Sequence, residues 1–96
     1  MILDFYADWC TDCVRMEKTT FNDPQVRTAL TRFRLLKLDV TDPSDTVGKT
    51  IKQRYSVYGP PALLFFNPQG QELLTKRLYG YLDPNRFLSL LKTLRE

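Results

Sequence analysis

The sequence predicts a mixed α/β domain built on a small central sheet. Three observations carry this. Apolar runs of strand length alternate with apolar stripes at helical spacing, the segments between the first strands are long enough for helical crossovers, and a cluster of turn residues joins the last two strands. At 96 residues, 43% of them apolar, the chain has the length and the oily content of one domain with one core, spanning residues 1–96.

The elements follow in order. Ile2 to Ala7 is a short apolar run interrupted by Asp4, which reads as a buried strand. After Trp9-Cys10-Thr11-Asp12-Cys13, the residues Val14, Met16, Glu17 and Lys18 suit a helix that Thr19, Thr20 and Asn22 end. Asp23-Pro24 starts a second helix. The aspartate caps free amides, and proline in the first turn gives up a donor that has no partner there. Val26, Leu30 and Phe33 form its apolar side, and the same start is expected at Asp42-Pro43 and at Asp83-Pro84.

Arg34 to Val40 reads as a second strand, and Val47, Ile51 and Tyr55 as the stripe of a helix over about 44–54, weakened by Gly48. Tyr55 to Pro61 is a loop, and Ala62 to Phe66 a fully buried strand. Asn67-Pro68-Gln69-Gly70 is a turn, from which Glu72 to Tyr79 pairs back as a hairpin strand. Phe87, Leu90, Leu91 and Leu94 make the last helix, with Lys92 and Arg95 in its final turn. The crossovers allow the first three strands to be parallel, while the last pair is antiparallel.

Composition excludes several chemistries. Without histidine there is no Ser-His-Asp triad, no Cys-His dyad and no histidine-ligated metal. Two cysteines do not complete a four-cysteine zinc site, so no metal is expected. The net charge of +3 is scattered: Arg15, Lys18, Arg27, Lys37, Lys49 and Lys52 are interleaved with acids and apolar residues, so no nucleic-acid partner is expected. The longest apolar run, Ala62 to Phe66, is far short of a membrane span. No secretory signal is visible at Met1-Ile2-Leu3-Asp4, leaving a cytosolic chain or one cut from a longer exported protein.

What remains is one cysteine pair. Cys10 and Cys13 stand after a buried strand at the start of a helix, where unpaired amides and the helix dipole favour a thiolate. Three residues on one helical turn bring two sulfurs within bonding range. Cys10 is then the exposed attacking sulfur and Cys13 the more buried one that resolves a mixed disulfide. A structural bridge is the competing reading, but a staple within one turn closes a tiny loop and removes little chain entropy.

Asp4-Phe5-Tyr6-Ala7-Asp8-Trp9-Cys10-x-x-Cys13 resembles the active-site segment of the thioredoxin superfamily, and Val57-Tyr58-Gly59-Pro60-Pro61-Ala62 resembles its cis-proline loop. Met16-Glu17-Lys18-Thr19-Thr20-Phe21, Asp23-Pro24-Gln25-Val26 and Gly70-Gln71-Glu72 add a resemblance to the C-terminal periplasmic domains of the DsbD family of bacterial thiol:disulfide interchange proteins. The resemblance implies a thioredoxin-like fold of about four strands in the order second, first, third, fourth. It also implies a protein-disulfide reductant that takes electrons from a membrane-embedded cysteine pair and gives them to a periplasmic partner through transient mixed disulfides. Cys10 and Cys13 are then the redox couple, with no further cofactor. Trp9, Pro60 and Pro61 face the substrate, although Pro60 removes one backbone donor from that loop.

Asp4 and Glu17 admit two readings. Asp4 is a polar strand residue or a carboxylate with an elevated pKa in an apolar strand; Glu17 is a solvated helix charge or shares a helical face with Cys13. In the resembled domains acids at these positions lie near the disulfide, and without histidine they are the natural proton carriers. The resemblance further implies a piece of a longer membrane protein, on the periplasmic side of the bacterial inner membrane. It lacks the usual first strand and helix, so that Arg34 to Val40 forms a sheet edge open to pairing. The alternatives are a stand-alone cytosolic reductase and a binding module that keeps the fold without turnover.

Overall fold

The computed structural model describes residues 1–94, so the expected place of Arg95 in the last helical turn lies outside the described residues. Four strands, β1 (Ile2–Tyr6), β2 (Leu35–Asp39), β3 (Ala62–Phe65) and β4 (Leu78–Tyr79), form one sheet in the order β2-β1-β3-β4. Four helices accompany them: α1 (Thr11–Lys18), α2 (Pro24–Leu30), α3 (Thr46–Arg54) and α4 (Pro84–Lys92). The expected sheet order holds, with β2 on the edge and Leu35 and Leu36 of that strand exposed.

β1 is parallel to β2 but antiparallel to β3, so the all-parallel arrangement that the crossovers allow for the first three strands is not the one adopted. Connector length sets reach rather than direction. Here the loop after α3 turns the chain back, with Ser56 in the left-handed region (φ 56°), so β3 enters the sheet beside the C-terminal end of β1. The pairing Phe5↔Ala62 brings Pro61, just before β3, to the end of the sheet where α1 begins.

Strand alternation divides the core into two layers. Phe5, Ala62, Leu64 and Phe66 pack with Val40 and Val57 and with Ile51 and Tyr55, on and just after α3. Ile2, Leu63 and Phe65 pack with Met16 of α1, Val26 of α2, and Phe87 and Leu91 of α4. With helices on both faces, every residue of β3 is buried, as its unbroken apolar sequence anticipates. Phe21 meets Phe87 edge-on at 5.5 Å between ring centroids.

Aspartate caps start three helices. Asp23 accepts from the Gln25 and Val26 amides at 2.9 and 3.2 Å, and Asp83 from Arg86 at 2.9 Å. The third departs from expectation: Asp42-Pro43 forms a turn in which Asp42 accepts from Ser44, and Asp45 caps α3 through the Val47 amide. Proline is therefore not required at this start. Val47 of the expected stripe is 61% exposed, and the buried position is Gly48, where an added Cβ would already touch Val40 at 3.4 Å.

The expected hairpin strand from Glu72 to Tyr79 is the largest difference. Only an isolated bridge, Phe66↔Glu72, and the two residues of β4 pair back along β3 and the residue that follows it, and Leu74–Lys76 forms a 3₁₀ turn between them. The Asn67–Gly70 turn forms as anticipated, with Gly70 at φ 83°. The excursion brings Arg77 back onto Glu72 as a two-pronged, mostly buried ion pair, with Nη2 2.8 Å from Oε1.

Candidate functional site

The end of β1 delivers the chain into Asp8-Trp9-Cys10, and Cys10 is the N-cap of α1 with extended backbone angles. Its Sγ accepts a hydrogen bond from the Cys13 amide at 3.1 Å, taking the part a serine or aspartate oxygen plays in other helices. Cys10 and Cys13 are joined as a disulfide. The same N–H stabilises a thiolate on Cys10 once the bond is reduced, because a donor to an ionised acceptor makes the stronger bond.

Sequence reasoning expected Cys10 to be exposed, and the structure corrects this. Cys10 is 7% and Cys13 4% exposed, both within the apolar cluster of Phe5, Val40, Val57 and Ala62. The capping role draws the sulfur down onto the first turn, so only its edge meets solvent.

Trp9 stands beside it, 63% exposed, its indole N–H donating to the Thr41 carbonyl at 3.0 Å. Thr41 Oγ1 also accepts from the Asp8 amide at 2.9 Å. The loop after β2 thus fixes the entry to the cysteine pair, a part that nothing in the Thr41 sequence context advertises. On the other side the Pro60–Pro61 bond is cis, in agreement with the resemblance, and the Pro61 carbonyl accepts from the Gly80 amide at 3.4 Å. Gly80 lies at φ 82°, which favours glycine.

Asp4, Cys13, Glu17 and Pro61 line one small cavity with Tyr6, Met16 and Gly80. Its volume is about 10 Å³, the lower bound for a single water. The sequence-predicted acids and Cys13 are therefore brought together. Asp4 is 7% exposed, and burial first, then the charge of Glu17, push its carboxyl up to about 6, against the pull of Lys37.

Lys37 and Arg77 were not singled out from sequence. Lys37 sits opposite Asp4 in the β1–β2 register, its Nζ 2.6 Å from Glu17 Oε1 and 3.9 Å from the centre of the Tyr6 ring. Hydrogen bonding to Glu17 raises its pKa. A strand register is needed to see this contact. Arg77 also donates to the Tyr55 carbonyl and to the Tyr79 hydroxyl, tying β4 to the segment that leads into the proline loop. Glu72 beside it holds its guanidinium above the ordinary range.

The Asp4 shift carries a stability prediction. Folding raises its pKa from 3.8 to about 6, so the folded chain binds this proton more tightly than the unfolded chain. The contribution is fully present below the unfolded value and is lost as pH rises through about 6. Urea unfolding of the disulfide form at pH 4 and pH 8 should show Asp4→Asn gaining on the wild type by about 2–3 kcal/mol between the two. A difference that does not change with pH would contradict the buried, shifted carboxyl.

Among the described residues no group of three or more cysteine, aspartate or glutamate side chains is arranged to hold a metal, and no helix is long and apolar enough to cross a membrane.

A family model described as a thioredoxin-like domain matches residues 1–95. The thiol:disulfide interchange protein DsbD of Pseudomonas fluorescens is 47% identical over 97 aligned positions, covering all of this chain and 16% of that protein. DsbD 2 of Pseudomonas aeruginosa is 43% identical over 96 positions, with the same two coverages. The chain thus spans about a sixth of the length of these curated relatives. Among solved structures, the C-terminal domain of Neisseria meningitidis DsbD in its oxidised form superposes with a TM-score of 0.86 at 29% identity, covering 99% of this chain and 79% of that one. The reduced form gives 0.85 over 99% and 80% at the same identity.

Proposed function

Since this chain belongs to the thioredoxin-like domain family, we propose that it is a thiol:disulfide exchange domain acting as a protein-disulfide reductant. The observation that carries the reading is the cysteine pair on the first turn of α1, with the Cys10 sulfur as helix cap and Cys13 beside a buried carboxylate.

In the reduced domain the Cys10 thiolate attacks one sulfur of a partner disulfide. That bond breaks, its other sulfur leaves as a thiolate and takes a proton, and a mixed disulfide to Cys10 forms. Cys13 then gives its proton to a carboxylate of the cavity and attacks Cys10 Sγ. The mixed disulfide breaks, the second partner sulfur leaves, and the domain is left as the Cys10–Cys13 disulfide. Two electrons pass to the partner, and no cofactor beyond the cysteine pair takes part.

Asp4 and Glu17 hold negative charge close to this pair. That restrains thiolate formation in the free domain and offers an acceptor for the Cys13 proton. Trp9, Pro60 and Pro61 form the rim on which a partner's extended segment rests. Because Pro60 and Pro61 have no N–H, the partner's backbone meets carbonyl acceptors there, and apolar contact with the exposed Trp9 ring carries more of the recognition.

The similarity to DsbD supports the remaining steps: a membrane-embedded cysteine pair of the parent protein re-reduces the domain, and the partners are periplasmic redox proteins. In vesicles carrying the full-length parent protein, alkylation should find Cys10 and Cys13 reduced at steady state. They should turn to disulfide when the parent's membrane cysteines are replaced by serine. A pair whose state is indifferent to that replacement would contradict this electron path.

A further inference from the structure

The outer face of α1 carries a second groove. Thr11, Val14, Arg15 and Lys18 recur at i, i+3, i+4 and i+7, which sets them in one stripe, while Cys13, Met16 and Glu17 turn the other way onto the small cavity. The stripe lines an open groove of about 480 Å³, with Trp9 at its head and Thr19 at its foot. That volume falls among clefts that hold ligands. Pro61 belongs to the other cavity, so the groove continues the docking face past Trp9 and away from the proline loop.

Both cations of the groove lack an acid. The Arg15 guanidinium lies 3.8 Å from the centre of the Tyr81 ring, Lys18 is exposed, and neither makes an ion pair among the described residues. Among those residues Asp8 is the single acid of the lining, and it stands at the cysteine end, beside Trp9. Trp9 and Val14 therefore offer an apolar shelf, and beyond it lie two unneutralised positive charges. We propose that this groove receives the residues flanking the attacked cysteine of a protein partner and favours partners with carboxylates two and four positions from that cysteine. The proposal rests on the thiol-exchange reading above and names the partner chemistry of that same site.

The register follows from element geometry. Arg15 and Lys18 lie five and eight residues beyond Cys10, a rise of about 7 and 12 Å along the helix. An extended partner chain anchored by its cysteine at Cys10 covers those distances in about two and four residues, and alternate side chains of such a chain face the same way. Two acids at these positions meet the two cations together. A partner with lysines there brings like charges into contact, so the groove rejects as well as attracts.

Nine-residue peptides with a central cysteine, joined as a mixed disulfide to thionitrobenzoate, test this. They carry glutamate, glutamine or lysine at the second and fourth positions on both sides of the cysteine, so chain direction does not matter. The Cys10 thiolate of the reduced domain attacks the peptide sulfur. The peptide–thionitrobenzoate bond breaks, coloured thionitrobenzoate leaves with the electron pair, and the peptide stays on Cys10 until Cys13 releases it. The glutamate peptide should react about three- to tenfold faster than the glutamine peptide, the effect of two exposed ion pairs, and the excess should shrink as salt is raised. Lys18→Glu, which changes an exposed side chain outside the core, should remove most of that ratio. Arg15→Glu with Lys18→Glu should turn the preference to the lysine peptide.

Equal rates for the glutamate and glutamine peptides in the wild type, or a glutamate preference that survives the double reversal, would overturn the proposal. Failure of the exchange reading looks different: Cys10→Ser would then release thionitrobenzoate as fast as the wild type whatever the charge of the peptide.

Discussion

Replacing Cys10 with serine should reduce protein-disulfide reduction by this domain to the uncatalysed background. Serine keeps the helix cap, because its oxygen accepts the Cys13 amide as the sulfur does, so the fold survives the change. What is lost is the nucleophile. A serine hydroxyl is too weak an acid for the nearby carboxylates to ionise at neutral pH, and the chain has no histidine to activate it. Cys13→Ser should differ in kind: one attack per molecule at close to the wild-type rate, then a stall, because nothing resolves the adduct. Turnover assays with an excess of dithiol donor measure both. A wild type that turns over no faster than either variant would mean that the fold binds partners without exchanging with them.

The largest effect on stability is expected at Arg77. Its guanidinium is mostly buried, grips Glu72 with two prongs, and donates to the Tyr55 carbonyl and Tyr79 hydroxyl. Arg77→Met leaves the Glu72 carboxylate buried without its cation, which costs about 3–5 kcal/mol in comparable sites. A domain of this size has roughly 5–15 kcal/mol in total, so thermal unfolding should fall by more than about 10 °C. Arg77→Met with Glu72→Leu should recover most of the loss, because an apolar pair of similar volume needs no partner. A loss under about 1 kcal/mol in the single variant would mark the contact as a surface pair.

Much of the fold is legible in the sequence. The Asp23-Pro24 and Asp83-Pro84 starts, the unbroken Ala62–Phe66 run and the Phe87–Leu91 stripe each carry a local cause that tertiary structure did not override. The departures share a different character. Val47 looks like a core residue until the neighbouring Gly48 allows Val40 to pack against the α3 backbone. Glu72 to Tyr79 looks like a strand until Arg77 closes on Glu72 and draws the segment out of the ladder.

The site divides in the same way. Cys10, Cys13, Asp4, Glu17, Trp9 and Pro61 were legible because they sit in contiguous motifs or at helical spacing. Lys37 and Thr41 reach the site only through the pairing of β2 with β1 and the loop that follows it, and one sequence holds no register. The depth of Cys10 was hidden for a related reason. Spacing places a sulfur at a helix start, but only the packed neighbours decide how much of it water can see.

The most direct test is mass spectrometry of the reduced Cys13→Ser domain, acid-quenched after mixing with a disulfide-bonded protein. One partner molecule attached through Cys10, released by reductant and absent from the Cys10→Ser control, is the predicted result. An unmodified domain under conditions in which the wild type reduces the same protein would contradict a mechanism that passes through Cys10.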